Sequence, residues 1–117
     1  MDKQYRLTPD QMKSLIESTQ GCLATDRITV DGELVGYMQR EEPLSENDSG
    51  WRFFAGDESD LYLQLPQNHG FHTLNAICNY DPAIIPFLEY ETPCAFLRAE
   101  EGDEFDEVMY DPNGDDE

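Results

Sequence analysis

The sequence predicts an α+β fold: a small single domain in which helices pack on an antiparallel or mixed sheet, followed by an acidic C-terminal tail. The chain has 117 residues, which is the usual size of one domain. Short β-compatible segments fall mostly in its first half, and helical patterns fall mostly in its second half. Hydrophobic residues make up 38% of the chain and include six Tyr, six Phe and one Trp. Because aromatic side chains bury large areas, this supply is sufficient for a core.

A helix is predicted near the start of the chain. Residues 8–11 read Thr-Pro-Asp-Gln, which combines a capping Thr, Pro at the first helical position and Gln three residues after the cap. Met12, Leu15 and Ile16 follow at helical spacing, and Gly21 is placed to end the helix. A single apolar stripe indicates that this helix packs on the sheet.

The next segments predict strands. Residues 22–25 are apolar and β-compatible. Residues 28–30 and 34–39 flank Asp31-Gly32 and read as a hairpin, because Asp-Gly adopts the positive φ angles of a tight turn. Gly36 inside the second arm indicates a bulge or the close approach of another element.

A polar loop then leads to a strand at residues 51–54 and to a short helix. Asp57 is predicted to cap this helix. Leu61, Tyr62 and Leu65 are predicted to form its inner face.

The second half of the chain predicts two further helical segments and a last strand. Thr73 is predicted to cap one helix, and Asp81 starts a final helical turn that Pro86 keeps short. Residues 94–98 form the last predicted strand. The core is expected to include most of these side chains: Leu15, Ile16, Leu23, Met38, Trp51, Phe53, Ile77 and Phe96. The domain is expected to span residues 1–99, and residues 100–117 are expected to form a flexible acidic tail.

Acidic residues dominate the charge. The chain has 26 Asp and Glu against seven Lys and Arg, a formal charge of −19, and ten of these acids lie from Glu100 onward. Such a surface repels nucleic-acid phosphates and anionic lipids, and it attracts basic proteins. The basic residues are scattered and form no stripe, so we expect no direct nucleic-acid binding. An acidic face can still occupy the basic cleft of a nuclease, and the alternative is an acidic tail that only makes the protein soluble.

The cysteines indicate a reducing compartment. Cys22, Cys78 and Cys94 are odd in number, form no CxxC pair and lie among apolar residues, so three free thiols are expected. No apolar run approaches the roughly 20 residues that a membrane helix needs. We therefore expect a cytoplasmic protein with no membrane partner.

The sequence contains no recognisable catalytic motif and only a weak indication of a metal site. His69 and His72 lie in no nucleophile motif such as GxSxG, and the chain has no GxxxxGK loop. His69 and His72 with Cys78 suggest zinc, but the histidines are expected in a turn and no second Cys pair has finger-like spacing. Asp57 and Asp60 could act as an acid–base pair, but a helix start explains them as well. We expect no enzyme activity, no catalytic residue, no metal and no cofactor.

Four stretches of the sequence resemble a known family: Cys-Leu-Ala-Thr-Asp at 22–26, Val-Gly-Tyr-Met-Gln-Arg-Glu-Glu-Pro at 35–43, Asp-Ser-Gly-Trp-Arg-Phe-Phe-Ala-Gly-Asp-Glu at 48–58 and Asn-Tyr-Asp-Pro at 79–82. The third stretch is the most specific. Together they resemble a bacterial family first catalogued as a domain of unknown function. That family was later grouped with the immunity proteins of polymorphic toxin systems, as immunity family thirty-three. The likeness covers roughly residues 21–98.

The resemblance implies a cytoplasmic bacterial protein that binds and neutralises a cognate toxin by occluding its working surface. The acidic charge of the chain leads us to expect a basic surface on the toxin. The alternative is a non-catalytic regulatory or scaffold binding module, and a homodimer is left open by the sequence.

Six residues in and beside the most specific stretch are the candidates for partner binding: Asp48, Trp51, Arg52, Asp57, Glu58 and Asp60. Trp and Arg are frequent among binding hot spots. For Trp51 a place in the core is favoured over direct contact with a partner, because strand alternation places part of this motif inward. Arg52 is expected either to be buried against a carboxylate such as Asp57 or Glu58, or to be exposed as an anchor.

Overall fold

The computed structural model describes residues 4–99 and 102–109. Its central feature is a mixed six-stranded sheet. Its strands are β1 (Gly21–Thr25), β2 (Tyr37–Arg40), β3 (Asp48–Phe54), β4 (His69–Thr73), β5 (Cys94–Arg98) and β6 (Phe105–Val108). The α-helices are α1 (Asp26–Thr29), α2 (Asp60–Gln64) and α3 (Leu74–Tyr80), and 3-10 helices span Pro9–Gln11, Pro66–Asn68 and Pro82–Phe87. The predicted α+β class with a mixed sheet is confirmed.

The strand order is β4-β1-β3-β2-β5-β6. β1 runs parallel to β3, and the other neighbouring pairs are antiparallel. Gly36, just before β2, lies against the chain that leaves β3: a Cβ there would stand 2.0 Å from the carbonyl oxygen of Ala55. The close approach predicted at Gly36 is therefore confirmed.

The core lies between the sheet and the helical segments that follow β4. Trp51 and Phe53 point to this side from the central strand, and the Trp51 indole donates a hydrogen bond to the Leu88 carbonyl at 3.1 Å. The predicted core residues Met38, Trp51, Phe53, Ile77 and Phe96 are all buried. Ile16 packs partly buried against this core, whereas Leu23 is half-buried on the other face of the sheet.

The predicted first helix is wrong. Only Pro9–Gln11 is helical, and the following chain as far as β1 is irregular. Two side-chain amides of α3 bind this backbone: Asn79 Oδ1 accepts from the Lys13 N–H at 2.9 Å, and Asn75 Oδ1 accepts from the Leu15 N–H at 2.7 Å. These bonds use backbone groups that a helix would have paired within itself. Leu15 is 41% exposed and does not join the core.

The predicted hairpin around Asp31-Gly32 is also wrong. The chain forms α1 after β1, with Ile28 fully buried. Gly32 has a φ of +84° and donates its N–H to the Ile28 carbonyl at 3.2 Å, which ends the helical turn. A positive φ serves a helix end as well as it serves a hairpin, so the local signal was ambiguous.

The helix caps were predicted with mixed success. Thr73 caps α3 by accepting from the Ala76 N–H at 3.0 Å, as predicted. The helical turn predicted to start at Asp81 is present as Pro82–Phe87, and Asp81 caps it by accepting from the Ala83 N–H at 3.1 Å. At α2 the cap is Ser59 and not Asp57, so the helix begins later than predicted.

The shifted start of α2 changes which of its side chains face inward. Leu61 and Leu65 are 66% and 37% exposed, and Tyr62 and Leu63 are the half-buried residues. The predicted inner face is therefore wrong for Leu61 and Leu65.

The two edge strands were not predicted. β4 occupies the segment that was expected to be a turn, and β6 lies inside the segment that was expected to be a flexible acidic tail. Phe105 of β6 is 8% exposed, and its ring centroid lies 5.3 Å from that of Phe87. The described part of the acidic segment therefore contributes to the sheet and to the core. The rest of it, residues 100–101 and 110–117, lies outside the described residues.

Replacing Phe105 by Ala tests whether β6 is part of the folded domain. We expect Phe105→Ala to lower the free energy of unfolding by about 3 kcal/mol, because it removes a buried aromatic side chain. Met109→Ala is the matched control, because Met109 is 92% exposed, and its effect should stay within about 0.5 kcal/mol. Urea unfolding measures both. Equal, small effects would contradict the placement of β6.

Candidate functional site

The sheet face opposite the core is the candidate binding surface, and we call it the open face. Paired residues on neighbouring strands point to the same side, so its side chains form two rows. One row runs through Phe71, Leu23, Arg52, Gln39, Ala95 and Val108. The other row runs through Phe54, Tyr37, Leu97 and Asp106. Phe71 and Leu97 are 56% and 49% exposed, so apolar area reaches solvent at both sides of the open face.

A buried ion network lies in the middle of the open face. Arg52 donates from Nη1 and Nη2 to the two oxygens of Asp48 at 2.9 and 2.7 Å, and from Nε to Glu41 at 2.8 Å. Asp48 also accepts from the N–H groups of Leu44 and Gly50 at 2.8 and 3.0 Å. The hydrogen bonds from Arg52 hold the pKa of Asp48 well below its usual range. The buried charges are thus fully paired, as burial requires.

Three of the predicted partner-binding residues belong to the interior. Trp51, Asp48 and Arg52 are 0%, 1% and 4% exposed. Arg52 is buried against carboxylates as one of the two expectations had it, but its partners are Asp48 and Glu41 and not Asp57 or Glu58. Because side chains this deeply buried do not reach a partner's surface, their role in this fold is structural.

Asp57 and Asp60 lie at the surface beside α2. Asp57 accepts two hydrogen bonds from Arg27, at 3.1 Å from Nε and 2.6 Å from Nη2, and its side chain is 58% exposed. These bonds lower the pKa of Asp57. Asp60 is exposed in the first turn of α2. Both carboxylates are available to a partner.

Glu58 is half-buried and held in place by neutral donors. Its Oε2 accepts from the Thr25 hydroxyl at 2.6 Å and from the Ala55 N–H at 2.8 Å, and its Oε1 accepts from the Gly56 N–H at 2.9 Å. It lines a pocket of about 410 Å³ at the α2 side of the open face. The pocket is lined by Tyr37, Gln39, Phe54, Gly56, Glu58, Leu63 and Leu97.

Sequence reasoning missed the aromatic and apolar residues of the open face, which are Tyr37, Phe54 and Leu97. The signal was present in β3 and β5, where strand alternation separates an inward Phe53 and Phe96 from an outward Phe54 and Leu97. Using that signal required knowing that α3 and Pro82–Phe87 cover only the core face of the sheet.

A larger cleft, of about 740 Å³, lies between Pro82–Phe87 and the start of β6. Two of its carboxylates, Asp81 and Asp103, are both paired with Arg98. Most of the acidic charge of the cleft is therefore paired within the chain, with Glu104 as its third carboxylate, which makes the cleft a weaker candidate for recognising a charged partner.

Internal ion pairs take up most of the described arginines. Arg27, Arg52 and Arg98 each contact two or more carboxylates. Arg40 donates to the backbone carbonyls of Ser49 and Tyr90 at 2.9 and 2.8 Å. Since the chain has only seven basic residues against 26 acids, little positive charge is left to balance the acidic surface.

His69 and His72 do not converge on a shared ligand site. They lie three residues apart on β4, so their side chains leave opposite faces of the strand, whereas the sequence had suggested a turn. Across residues 4–99 and 102–109, no group of three or more His, Cys, Asp or Glu side chains is placed to hold a metal ion.

The three cysteines are buried and unbonded. Burial raises the pKa of Cys22, and burial together with the nearby Asp81 raises the pKa of Cys78 to about 11. These thiols are therefore protonated near neutral pH and behave as core residues. In the described part of the chain, the helices are too short and too polar to cross a membrane.

Comparison with known proteins gives one match. A family model described as the Immunity protein Imm33 domain matches residues 22–109, which is more than half of the 117-residue chain. The matched segment extends from β1 beyond the end of β6 and so includes the whole open face. No curated protein and no solved structure shows significant similarity to the chain.

Replacing Asp48 by Asn tests the buried network. Near pH 7 we expect Asp48→Asn to lower the free energy of unfolding by about 3 kcal/mol, because the buried Arg52 charge loses its two-oxygen partner and keeps only Glu41 as a counter-charge. The exposed Asp106 provides the control, Asp106→Asn, which should change stability by less than about 0.5 kcal/mol.

The wild-type protein and the Asp48→Asn variant together also give a pH test of the buried network. The pKa of Asp48 is lower in the folded than in the unfolded protein. The Asp48 charge therefore contributes its full stabilisation at pH values above the pKa of Asp in the unfolded chain, which is about 3.9, and this contribution is lost as the pH falls below that value. The difference between wild type and Asp48→Asn should therefore narrow below about pH 4, by up to about 1.4 kcal/mol per pH unit. Urea unfolding over this range measures it, and a difference that stays constant would contradict the assignment.

Proposed function

Because the chain belongs to the Imm33 immunity-protein family, we propose that it protects a cell by binding a cognate toxin and occluding the toxin's working surface. The family match is the observation that carries this proposal. Occlusion requires a complementary surface and sufficient affinity, and it requires no catalytic group on the inhibitor.

The open face supports the proposal as the docking surface. Exposed apolar side chains grouped on one face of a protein are typical of interaction sites. Leu97 with the half-buried rings of Tyr37 and Phe54 forms one such group, and Phe71 supplies separate apolar area at the other side of the sheet. The rigid sheet beneath holds these side chains in place, which lowers the entropy that binding would cost.

The charge distribution supports a toxin with a basic surface. The chain carries a formal charge of −19, and its described arginines are largely occupied by internal partners. An acidic surface of this kind speeds the encounter with a basic protein through long-range attraction. The same charge disfavours a homodimer through the open face, since two chains of equal charge repel each other.

A regulatory or scaffold module without a toxin is the alternative function. It would use the same exposed apolar face, but it would not protect a cell from a toxin. If a neighbouring gene encodes a secreted protein with a toxin-like C-terminus, growth of cells that express that protein, with and without this chain, separates the two functions.

Replacing Leu97 by Arg tests the open face as the docking surface. We expect Leu97→Arg to weaken toxin binding by about 30-fold or more, because it places a desolvated cation against a basic partner at an apolar contact. Leu44→Arg is the matched control: Leu44 is 78% exposed in the loop before β3, so the same change in net charge should have little effect there. Calorimetry and the growth assay measure both variants. Equal losses in the two variants, or none, would exclude the open face.

Salt dependence tests the electrostatic part of the proposal. The association rate should fall steeply between about 0.05 M and 0.5 M salt, while the dissociation rate changes little. Deleting residues 110–117 removes four of the 26 acids and should slow association while leaving β6 intact. A longer deletion from residue 100 would remove Phe105 from the core. An association rate that responds to neither salt nor deletion would show that the acid serves solubility alone.

A further inference from the structure

We propose that the pocket beside α2, formed by Tyr37, Phe54, Leu63, Leu97 and Glu58, receives an arginine or lysine side chain of the toxin. This inference rests on the proposed function, because it names the chemical group that the open face would recognise on the partner. It goes further by assigning that recognition to one pocket and one carboxylate.

Two aromatic rings form one wall of the pocket. Tyr37 and Phe54 are cross-strand partners, with ring centroids 5.7 Å apart and planes tilted by 44°. The face of an aromatic ring attracts a cation, and the attraction grows when water is excluded. Leu63 and Leu97 add apolar surface, against which the methylene groups of a long basic side chain would pack.

Glu58 supplies the negative charge of the pocket. Its three hydrogen-bond donors are the Thr25 hydroxyl and two backbone N–H groups, which orient the carboxylate without neutralising it. Arg27 bonds instead to Asp57, the residue before Glu58, and to Asp31. Within the described residues Glu58 is therefore a fixed carboxylate that an incoming cation would complete.

The pocket floor is held rigid by the buried network. The Tyr37 hydroxyl donates to Gln39 Oε1 at 2.9 Å, and Gln39 Nε2 donates to Glu41 Oε1 at 3.1 Å. Glu41 in turn binds Arg52. Burial and the nearby Glu41 charge raise the pKa of Tyr37, so its hydroxyl keeps the proton that it donates. A binding site prepared in this way loses little entropy when it is occupied.

The composition of the pocket selects against other ligands. A partner carboxylate would be repelled by Glu58 and by the negative faces of the rings. A neutral aliphatic side chain would fill the apolar part but would leave the Glu58 charge half-buried without a counter-charge. A long side chain that ends in a cation satisfies both parts.

A titration with small probes tests the pocket without the toxin. N-acetyl-arginine amide is added to the ¹⁵N-labelled full chain, and N-acetyl-citrulline amide, which has nearly the same shape without the charge, is the matched probe. We expect saturable shifts of the Tyr37, Phe54 and Gly56 amide signals with the arginine probe, and binding of the citrulline probe weaker by about fivefold or more.

Two variants then identify the groups responsible. Glu58→Gln keeps the length of the side chain and removes its charge, and it should reduce the affinity for the arginine probe to that for citrulline. Glu91→Gln, at an exposed carboxylate outside the pocket, should leave the affinity for the arginine probe unchanged. Phe54→Leu keeps the apolar contact and removes a ring, so it should also lower the preference for arginine over citrulline; it supplies a second test if Glu58→Gln destabilises the fold.

Equal affinity for the two probes would overturn the inference. So would amide signal shifts that spread over the acidic surface and do not saturate. Equal effects of Glu58→Gln and Glu91→Gln on the affinity for the arginine probe would also overturn it. Such a result would leave the proposed function standing, because that function is tested by toxin protection and by Leu97→Arg. Conversely, a protein that binds the arginine probe in this pocket but gives no protection would contradict the toxin-neutralising function alone.

Discussion

The fold depends on an arginine buried in its central strand. Trp51 and Phe53 of β3 point into the core, and Arg52 between them is 4% exposed on the other side of the sheet. A buried guanidinium is tolerated only with paired carboxylates, and Asp48 and Glu41 supply them. This requirement shapes the start of β3, where the register against β1 shifts and Gly50 takes a φ of +91°.

The same network prepares the surface above it. Glu41 connects Arg52 to Gln39 and then to Tyr37, so the geometry of the buried ion pair extends to a ring on the open face. Because α3 and Pro82–Phe87 cover the core face of the sheet, apolar side chains remain on the other face. Because most of the described arginines are bound internally, the surrounding charge is acidic. A surface that is apolar at its contacts and acidic around them is suited to a basic partner protein.

Local signals in the sequence were reliable where one chemical role was available to the residue. Thr73 and Asp81 cap the predicted helical segments, and the strand at 94–98 is present, because capping and alternation depend on neighbours within a few residues. The α+β class and the resemblance to the immunity family, confirmed by the match over residues 22–109, were likewise accessible from the sequence. Burial of Arg52 against a carboxylate was anticipated as one of two options.

Only the tertiary structure decided the remaining features, because they depend on contacts between residues distant in the sequence. The capping signal at residues 8–11 produced no long helix, since Asn75 and Asn79 of α3 bind the backbone that would have formed it. The acidic segment contains β6 because its backbone pairs with the edge of β5 and because Phe105 packs against the ring of Phe87. The sequence likewise did not determine which carboxylates pair with Arg52 or which apolar side chains share the open face. Strand order and register bring these residues together. Composition and local pattern thus determined the class, the charge and the family, whereas long-range pairing determined which residues reach the surface.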